Sequence, residues 1–216
     1  MKTAVYFFSL ACLGTLFSCS KDVIVGSGEI TSETRQVELF SKVRSEGVFT
    51  VAITQGDVQS VELIGDNNIL GKVRTQVAGS ELRLYLDDDY NYGDVHLQAN
   101  ITVARLNGLK NYGAGQIHVF GFTETGRFDL LNSGSGHISL EGSAASLELF
   151  NEGSGNIDAF GFRVPQCNAT LLGSGNLEIE CSELLRAVIE GSGNVYYLGN
   201  PIIEAIIEGS GKVISA

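Results

Sequence analysis

The stretch Leu130-Leu131-Asn132-Ser133-Gly134-Ser135-Gly136-His137-Ile138-Ser139-Leu140 contains the pattern that decides the fold of this chain. Its Gly-Ser-Gly triplet has an apolar residue four positions before the first glycine, and others four and six positions after it. A Gly-x-Gly triplet recurs six times, and the first glycines are separated by 21, 19, 20, 18 and 18 residues. The triplets are Gly113-Ala114-Gly115, Gly134-Ser135-Gly136, Gly153-Ser154-Gly155, Gly173-Ser174-Gly175, Gly191-Ser192-Gly193 and Gly209-Ser210-Gly211. A repeat of this length is typical of a solenoid, in which each repeat buries its apolar side by stacking on its neighbours.

Aligning the repeats on the first glycine, which we call position 0, gives columns of similar residues. Position −4 holds Leu109, Leu130, Leu149, Ala169, Ala187 and Ala205. Position +4 holds Ile117, Ile138, Ile157, Leu177, Val195 and Val213. Positions −6 and +6 are also mostly apolar, so the pattern has a period of two on both sides of the triplet. This period predicts two short strands per repeat, joined by a glycine turn.

A second corner is predicted at position +8, which is glycine in four repeats. These are Gly121, Gly142, Gly161 and Gly199. Glycine accepts positive φ angles and close backbone approach. We therefore predict an all-β fold: right-handed parallel β-helix (solenoid) coils, with an N-terminal β region packed on them or continuous with them. A run of antiparallel hairpins is the alternative, but one constant register over six repeats favours the solenoid.

The N-terminus indicates where the protein is located. Residues 1–18 contain a basic residue followed by an apolar run that is too short to span a bilayer, which is typical of a signal peptide. The run ends in Ser18-Cys19, which resembles the cleavage site of bacterial lipoproteins. Cys19 is then the lipidated first residue of the mature chain, and the protein is an outer-membrane lipoprotein. Ser20-Lys21-Asp22 weakly favours the cell surface over the periplasmic face. An ordinary signal peptide with a chance cysteine is the alternative.

The charge of the chain limits its partners. Removal of residues 1–18 takes away Lys2 and leaves 13 basic against 25 acidic residues. A strongly acidic chain without a basic cluster argues against nucleic acid and against direct binding to anionic headgroups. Two cysteines other than Cys12 and Cys19 remain in the chain. Cys167 and Cys181 belong to one coil, where they either form a disulfide or are two small buried residues.

Four segments divide the chain. The signal peptide at 1–18 is followed by a tether at 19–34, an N-terminal β region at 35–105 and the repeats at 106–216. Within the β region, alternating apolar residues predict several strands, and the polar run 65–68 predicts one helical turn at 69–73. No linker separates this region from the repeats, so the two are expected to be in contact.

The chain resembles the head GIN domain family, whose members are described as auto-transporter adhesins and are common among Bacteroidetes lipoproteins. The resemblance covers about residues 35–215. It rests on Arg35-Gln36-Val37-Glu38-Leu39-Phe40-Ser41-Lys42-Val43, Val51-Ala52-Ile53-Thr54-Gln55-Gly56, Gly65-Asp66-Asn67 and the Gly-Ser-Gly repeats. It implies an all-β fold with β-helix coils on a cell-surface or periplasmic protein. It implies neither a catalytic residue nor a cofactor.

Chemical motifs are few. The best metal candidate is the loop 87–94, where Asp87, Asp89, Asn91 and Asp94 offer the oxygen ligands that Ca²⁺ prefers. The loop does not match an EF-hand, and a solvated acidic loop is the favoured interpretation. Position +3 carries asparagine in three consecutive repeats, at 156, 176 and 194, which predicts a ladder of side-chain amides at the turn. No Ser-His-acid set is indicated, so we predict a protein that is not an enzyme.

One column points to a functional surface. Position −3 should face outward because −4 and −6 face inward. From the second repeat onward it holds Leu131, Phe150, Thr170, Val188 and Ile206, which we call the outer stripe. A soluble protein rarely leaves such a stripe bare. Either the N-terminal β region folds back over it, which the short connection favours, or a second copy or another protein covers it. The predicted function is adhesive or surface-binding, with an unknown protein or glycan as ligand. The alternatives are a structural partner in an envelope complex and, less favoured, a carbohydrate-processing protein.

Overall fold

The computed structural model of this chain describes residues 21–216. The signal peptide at 1–18 and the lipidation site Cys19 therefore lie outside the described residues. The described part is almost entirely β structure and forms a β-solenoid of about five turns, which confirms the fold class predicted from the repeats. None of the helices in residues 21–216 is long and apolar enough to cross a bilayer.

The described N-terminal part, residues 21–103, contains nine strands and one short helix. The elements are β1 (Val23–Ile24), β2 (Ile30–Thr34), β3 (Lys42–Ser45), β4 (Thr50–Gln55), β5 (Ser60–Asp66), α1 (Asn67–Leu70), β6 (Val73–Ala78), β7 (Glu81–Leu86), β8 (Asn91–Tyr92) and β9 (Leu97–Val103). The single helical turn predicted at 69–73 exists, but it begins two residues earlier and ends three residues earlier.

The repeats contribute ten further strands. These are β10 (Gly108–Asn111), β11 (Ile117–Thr123), β12 (Arg127–Asn132), β13 (Ile138–Ser143), β14 (Ser146–Asn151), β15 (Ile157–Leu171), β16 (Leu177–Ile189), β17 (Val195–Leu198), β18 (Ile202–Ile207) and β19 (Val213–Ser215). All pairs among them are parallel. Outside register shifts near the second corner, they join equivalent positions of successive repeats, such as Leu109 with Leu130 and Ile117 with Ile138. The alternative of antiparallel hairpins is therefore excluded for the repeats.

The apolar residues that share an aligned position in the repeats line the core of the solenoid. In the repeats before the last one, every residue at positions −4 and +4 is buried. Phe128 and Phe162 meet inside the solenoid with ring centroids 5.3 Å apart. The apolar period of two thus produces a single continuous core, because parallel strands in constant register stack like residues on like residues.

The Gly-x-Gly turns depend on close backbone approach. At both glycines of every triplet, an added Cβ would lie closer than 3.0 Å to a backbone atom of the preceding coil, at a separation that real Cβ atoms essentially never show. None of these twelve glycines has a positive φ. Glycine is therefore required at this turn by close contact between stacked coils, and not by a positive φ angle. At Gly173, the atom in the way is the carbonyl oxygen of Gly153.

The second corner is more variable than the first. Gly121, Gly142 and Gly199 adopt positive φ angles there, as glycine at a corner allows. Gly161 does not, and the chain instead continues through the corner as the long strand β15. β16 passes Cys181 in the same way. Cys167 and Cys181 are both buried and form no disulfide. Burial raises the pKa of the Cys167 thiol well above its usual range.

A ladder of asparagine side chains, which the sequence analysis missed, lies inside the core at position −2. The Nδ2 of Asn111 donates to Oδ1 of Asn132 over 2.9 Å, and the Nδ2 of Asn132 donates to Oδ1 of Asn151 over 3.0 Å. The Nδ2 of Asn151 donates to the carbonyl oxygen of Gly155. Each of the three side chains is at most 1 % exposed, so these bonds satisfy amides that would otherwise be costly to bury.

The asparagines at position +3 form a ladder, but their hydrogen bonds are not those predicted. Each asparagine oxygen there accepts a hydrogen bond from a backbone N–H of the next coil. Asn156 accepts from Asn176, Asn176 from Asn194, and Asn194 from Lys212, over 2.8–3.0 Å. The prediction of bonds between side-chain amides was therefore wrong at this column, because each amide oxygen lies beside the free N–H at the start of the next strand.

The N-terminal region continues the solenoid instead of lying against its side. β3 pairs with β10 and β4 with β11, so residues 42–55 form a coil directly below the first repeat. β7 and β9 stack below β3 and β4 in the same parallel sense. The boundary at residue 105 thus marks where the Gly-x-Gly repeats begin. The parallel stacking of strands continues across this boundary.

Antiparallel strands close the lower end of the stack. β5 pairs with β9, β6 with β7, and β2 with β5. The side chains of Ile69 and Leu70 in α1 are 0 % and 4 % exposed, and they cover the core at this end. Within the segment predicted as a tether, the described residues 21–34 include β2, which is an edge strand of this cap, and β1, which pairs with β8.

Candidate binding face

The five residues of the outer stripe occupy one column of the same solenoid wall. The pairs Leu131–Phe150, Phe150–Thr170, Thr170–Val188 and Val188–Ile206 are each in direct register across parallel strands. Successive side chains are thus separated by one strand spacing, about 4.8 Å. The period-two pattern predicted this arrangement, and the pairing brings all five together.

The N-terminal β region does not cover the outer stripe. Among the described residues, its strands pair with the repeats only through β3–β10 and β4–β11, at the lower end. The favoured expectation that this region folds back over the stripe is therefore wrong. The reason is that β3 and β4 have the same backbone pattern as the repeats, and stacking satisfies their hydrogen bonds. The first four stripe residues are partly exposed, and Ile206 is 60 % exposed.

A groove of about 340 Å³ lies at the lower end of the stripe. Leu131 and Phe150 form part of its apolar lining, and Gly108 lies in the same lining, between Lys42 and Asp129 in the strand register. The stem of Lys42 lies over Gly108, and its Nζ is 3.8 Å from a carboxylate oxygen of Asp129. This groove was not predicted from the sequence. A glycine in an outward column, followed by charged residues in the next repeats, is the signal that could have found it.

Charged residues surround the apolar lining of the groove. Arg127 contacts both Asp129 and Glu148, and Nζ of Lys110 is 2.7 Å from Glu81. These ion pairs are solvent-exposed and contribute little to stability. Their chemistry suits a ligand that combines apolar surface with hydroxyl or charged groups, because both donors and acceptors stand at the rim of an apolar floor.

The acidic loop gathers a different set of residues from the one predicted. A carboxylate oxygen from each of Asp87, Asp88 and Asp89 lies within 4.8 Å of the others. Asn91 instead donates to the carbonyl of Lys21, and the backbone carbonyl of Asp94 accepts from Gly26. Of the four candidate calcium ligands Asp87, Asp89, Asn91 and Asp94, the first two thus lie together, while Asn91 and the backbone of Asp94 contact the segment 21–26 instead.

Asp87 already has a cationic partner. Its carboxylate accepts a hydrogen bond from Arg74 over 2.7 Å, and this bond lowers the pKa of Asp87 below its usual range. The Asp87 carboxylate also accepts from the N–H of Asp89, and the carbonyl of Asp87 accepts from the Tyr92 hydroxyl. These contacts hold Asp87 within the surface turn.

Comparison with known proteins identifies a family with this architecture. A family model described as putative auto-transporter adhesin, head GIN domain, matches residues 39–201. The chain belongs to this family. No curated protein matches the chain.

Solved structures share the fold. A putative adhesin from Bacteroides fragilis is 24 % identical, aligns with 89 % of this chain and 100 % of its own, and gives a TM-score of 0.76. A putative adhesin from Parabacteroides distasonis gives 0.59 at 21 % identity, over 90 % of this chain and 100 % of its own. A putative lipid binding protein from the same species gives 0.55 at 21 % identity, with the same coverage. At these identities the likeness establishes the fold alone.

Proposed function

We propose that this chain is a non-catalytic, lipid-anchored protein of the bacterial cell envelope, with an adhesive role carried by the outer stripe. The observation that carries the proposal is the stripe itself. Apolar side chains such as Leu131, Phe150 and Val188 stand in one outward column and are partly exposed, and the described N-terminal strands pair with the repeats only at the lower end of the stack. Contiguous apolar surface of this kind is typical of a binding face. The family description as an adhesin supports binding over catalysis.

The anchor in this proposal is a lipid on Cys19. The described chain begins at Lys21, and β1 pairs with β8 in the connection between β7 and β9, which belong to the lowest coil. A lipid at Cys19 would thus attach the closed end of the solenoid to the membrane, and the repeats would extend away from it. Cys19→Ala should move the protein from the membrane fraction to the soluble fraction. A variant that stays in the membrane fraction would refute the anchor.

Introducing charge into the stripe tests the binding role. The double variant Phe150→Asp and Val188→Asp should stay folded, because both side chains point away from the core, and should lose what the native protein captures. The measurement is a pulldown of the lipidated protein from its own envelope, with captured protein and captured polysaccharide quantified separately. That division also distinguishes a protein ligand from a glycan.

A matched control is available on the neighbouring wall. Ser139 and Tyr196 are outward residues at position +5 with similar partial burial. Ser139→Asp with Tyr196→Asp adds the same charge without touching the stripe, so capture should be retained. If both double variants capture normally, the stripe is not the binding face. If only the stripe variant melts at a much lower temperature, its side chains stabilise the fold, and the binding role is wrong.

A further inference from the structure

The last coil of the solenoid has strand partners on one side only. Within residues 21–216, β18 pairs with β16 and β19 with β17, and no described strand lies on their outer side. The upper end of the solenoid is therefore an open sheet edge. Such an edge readily pairs with another chain, because its free N–H and C=O groups point in one direction.

The core is also open at this end. Ile203 and Ile207 occupy the inward columns of β18, yet they are 36 % and 47 % exposed. Their equivalents one coil earlier, Leu185 and Ile189, are both 0 % exposed. On the outward face of the same strand, Ile202 is 70 % exposed. A six-residue edge strand with apolar side chains on both faces is a surface that proteins usually cover.

The closed end of a second copy is a poor cover for this surface. Its core is already filled by α1, whose Ile69 and Leu70 are buried. Its edge strand β2 has the sequence Ile-Thr-Ser-Glu-Thr and is exposed throughout. A head-to-tail contact would set an apolar end against a mostly polar strand. A contact between the upper ends of two copies, which we call tail to tail, packs apolar residues against apolar residues. Because this contact is two-fold symmetric, it forms a closed dimer and not a filament.

We propose that two copies of this protein associate tail to tail, with β18 pairing antiparallel to β18 of the second copy. The backbone has the free groups for this. The N–H of Glu208 donates to the carbonyl of Ile189 in β16. Since N–H groups alternate in direction along a strand, those of Ile203, Ala205 and Ile207 point to the open edge.

The alternation of side chains also fixes the register. Inward residues of one strand must face inward residues of the other, or the apolar set leaves the core. Near the middle of β18, two registers meet this condition. One places Glu204 opposite Glu204 of the second copy, where like charges oppose each other. The other places Ala205 opposite Ala205 and Ile203 opposite Ile207, and it is the register we assign.

Ala205→Pro tests the contact. Proline removes the N–H that points to the open edge and leaves the ladder with β16 intact, as is tolerated on edge strands. For the chain from Ser20 onward, which carries no lipid, sedimentation should give twice the monomer mass. Ala205→Pro should sediment as a monomer with an unchanged circular dichroism spectrum. Ala205→Ser keeps the N–H and should remain dimeric.

Cysteine cross-linking tests the register independently of folding effects. Directly opposed residues with shared backbone hydrogen bonds have Cα atoms about 5.5 Å apart, within the range of a disulfide. Ala205→Cys should thus form a disulfide-linked dimer under mild oxidation, and Glu204→Cys should not, because it faces Ile206. A native chain that is monomeric at all concentrations, a dimer that survives Ala205→Pro, or cross-linking through Glu204→Cys alone would overturn the proposal.

Discussion

The two ends of the solenoid differ, although the same backbone pattern builds both. At the lower end, three antiparallel strands and α1 continue the hydrogen bonding of β7 and β9 and cover the core. At the upper end, β18 and β19 have the same parallel register as the coils before them, but no strand of the described residues 21–216 lies beyond them. Inward isoleucines that are buried in the middle of the stack are therefore exposed in the last coil.

This difference shows that a solenoid repeat does not carry its own stability. Ala187 and Ala205 are the same residue in the same column, and the first is 1 % exposed while the second is exposed. Since each coil buries its apolar residues only against its neighbours, stability depends on position in the stack. Substitutions at equivalent positions should thus have unequal effects along the solenoid.

The largest expected loss of stability comes from substituting the first glycine of a triplet, and it should differ between a middle coil and the last coil. Gly173→Val places a Cβ against the carbonyl oxygen of Gly153 between two fixed coils, and should lower the free energy of unfolding by about 3 kcal/mol. Gly209→Val meets the carbonyl of Gly191 in the same way. The last coil can move away, so its cost should be about 1 kcal/mol or less. Thermal unfolding measures both.

The control for this pair is Glu178→Val, which places the same side chain on an outward position of the middle region. Its effect on the free energy of unfolding should stay within about 0.5 kcal/mol. Equal losses for Gly173→Val and Gly209→Val would show that the last coil cannot relieve the clash by moving, and would contradict the proposed difference between the middle and the end of the stack.

A smaller effect is expected in the asparagine ladder, which separates the lower coils from the upper ones. Asn132→Leu removes the side-chain acceptor of Asn111 Nδ2 and the donor to Asn151 Oδ1, both inside the core, and should cost about 1–3 kcal/mol. At the same column the later coils carry Leu171 and Ile189. Replacing all three asparagines by leucine should recover part of the loss, because no side-chain amide then remains in the core. A triple variant less stable than the sum of single losses would contradict this account.

The smallest effect concerns the cap alone and depends on pH. The Asp66 carboxylate accepts from the N–H groups of His96 and Gly28, each over 2.7 Å, and these bonds lower its pKa. A carboxyl whose folded pKa lies below its unfolded value stabilises the fold at neutral pH, and this contribution is lost as the pH falls through the folded pKa. Below about pH 4, hydrogen exchange should therefore quicken in β2 before it does in β16.

Asp66→Asn is the variant that isolates this carboxyl from the other acidic groups. It should exchange faster in β2 already at neutral pH and show a weaker acid dependence than the native chain. If the two proteins lose protection in β2 with the same pH dependence, the hydrogen bonds of Asp66 do not fasten the cap.

The glycine triplets show how far local pattern could lead. Their spacing predicted the parallel coils, the inward columns and the register of the outer stripe, because a period of two fixes which side chains share a face. The triplets also predicted a turn where a side chain would not fit. Whether the obstacle was a positive φ or a neighbouring carbonyl could not be read from the sequence, since that neighbour lies a whole repeat away.

The cap and the stripe show where local pattern failed. Residues 42–55 carry Phe49 where the repeats have the second glycine, so they were not recognised as a coil. Position −2 changes from asparagine to leucine along the stack, and this irregularity concealed the buried ladder. The segment 30–34 is polar and exposed, and only its pairing with β5 identifies it as a strand.

The sequence by itself thus determined the elements that repeat: the two-strand coil, its glycine turn, its apolar columns and the family to which the chain belongs. The tertiary structure decided the features that occur once, namely which end of the stack is closed, what covers each wall, and which polar groups find partners inside. The physical reason is that a repeat encodes contacts between equivalent positions. The ends and the outer surface depend on contacts between positions that no period relates.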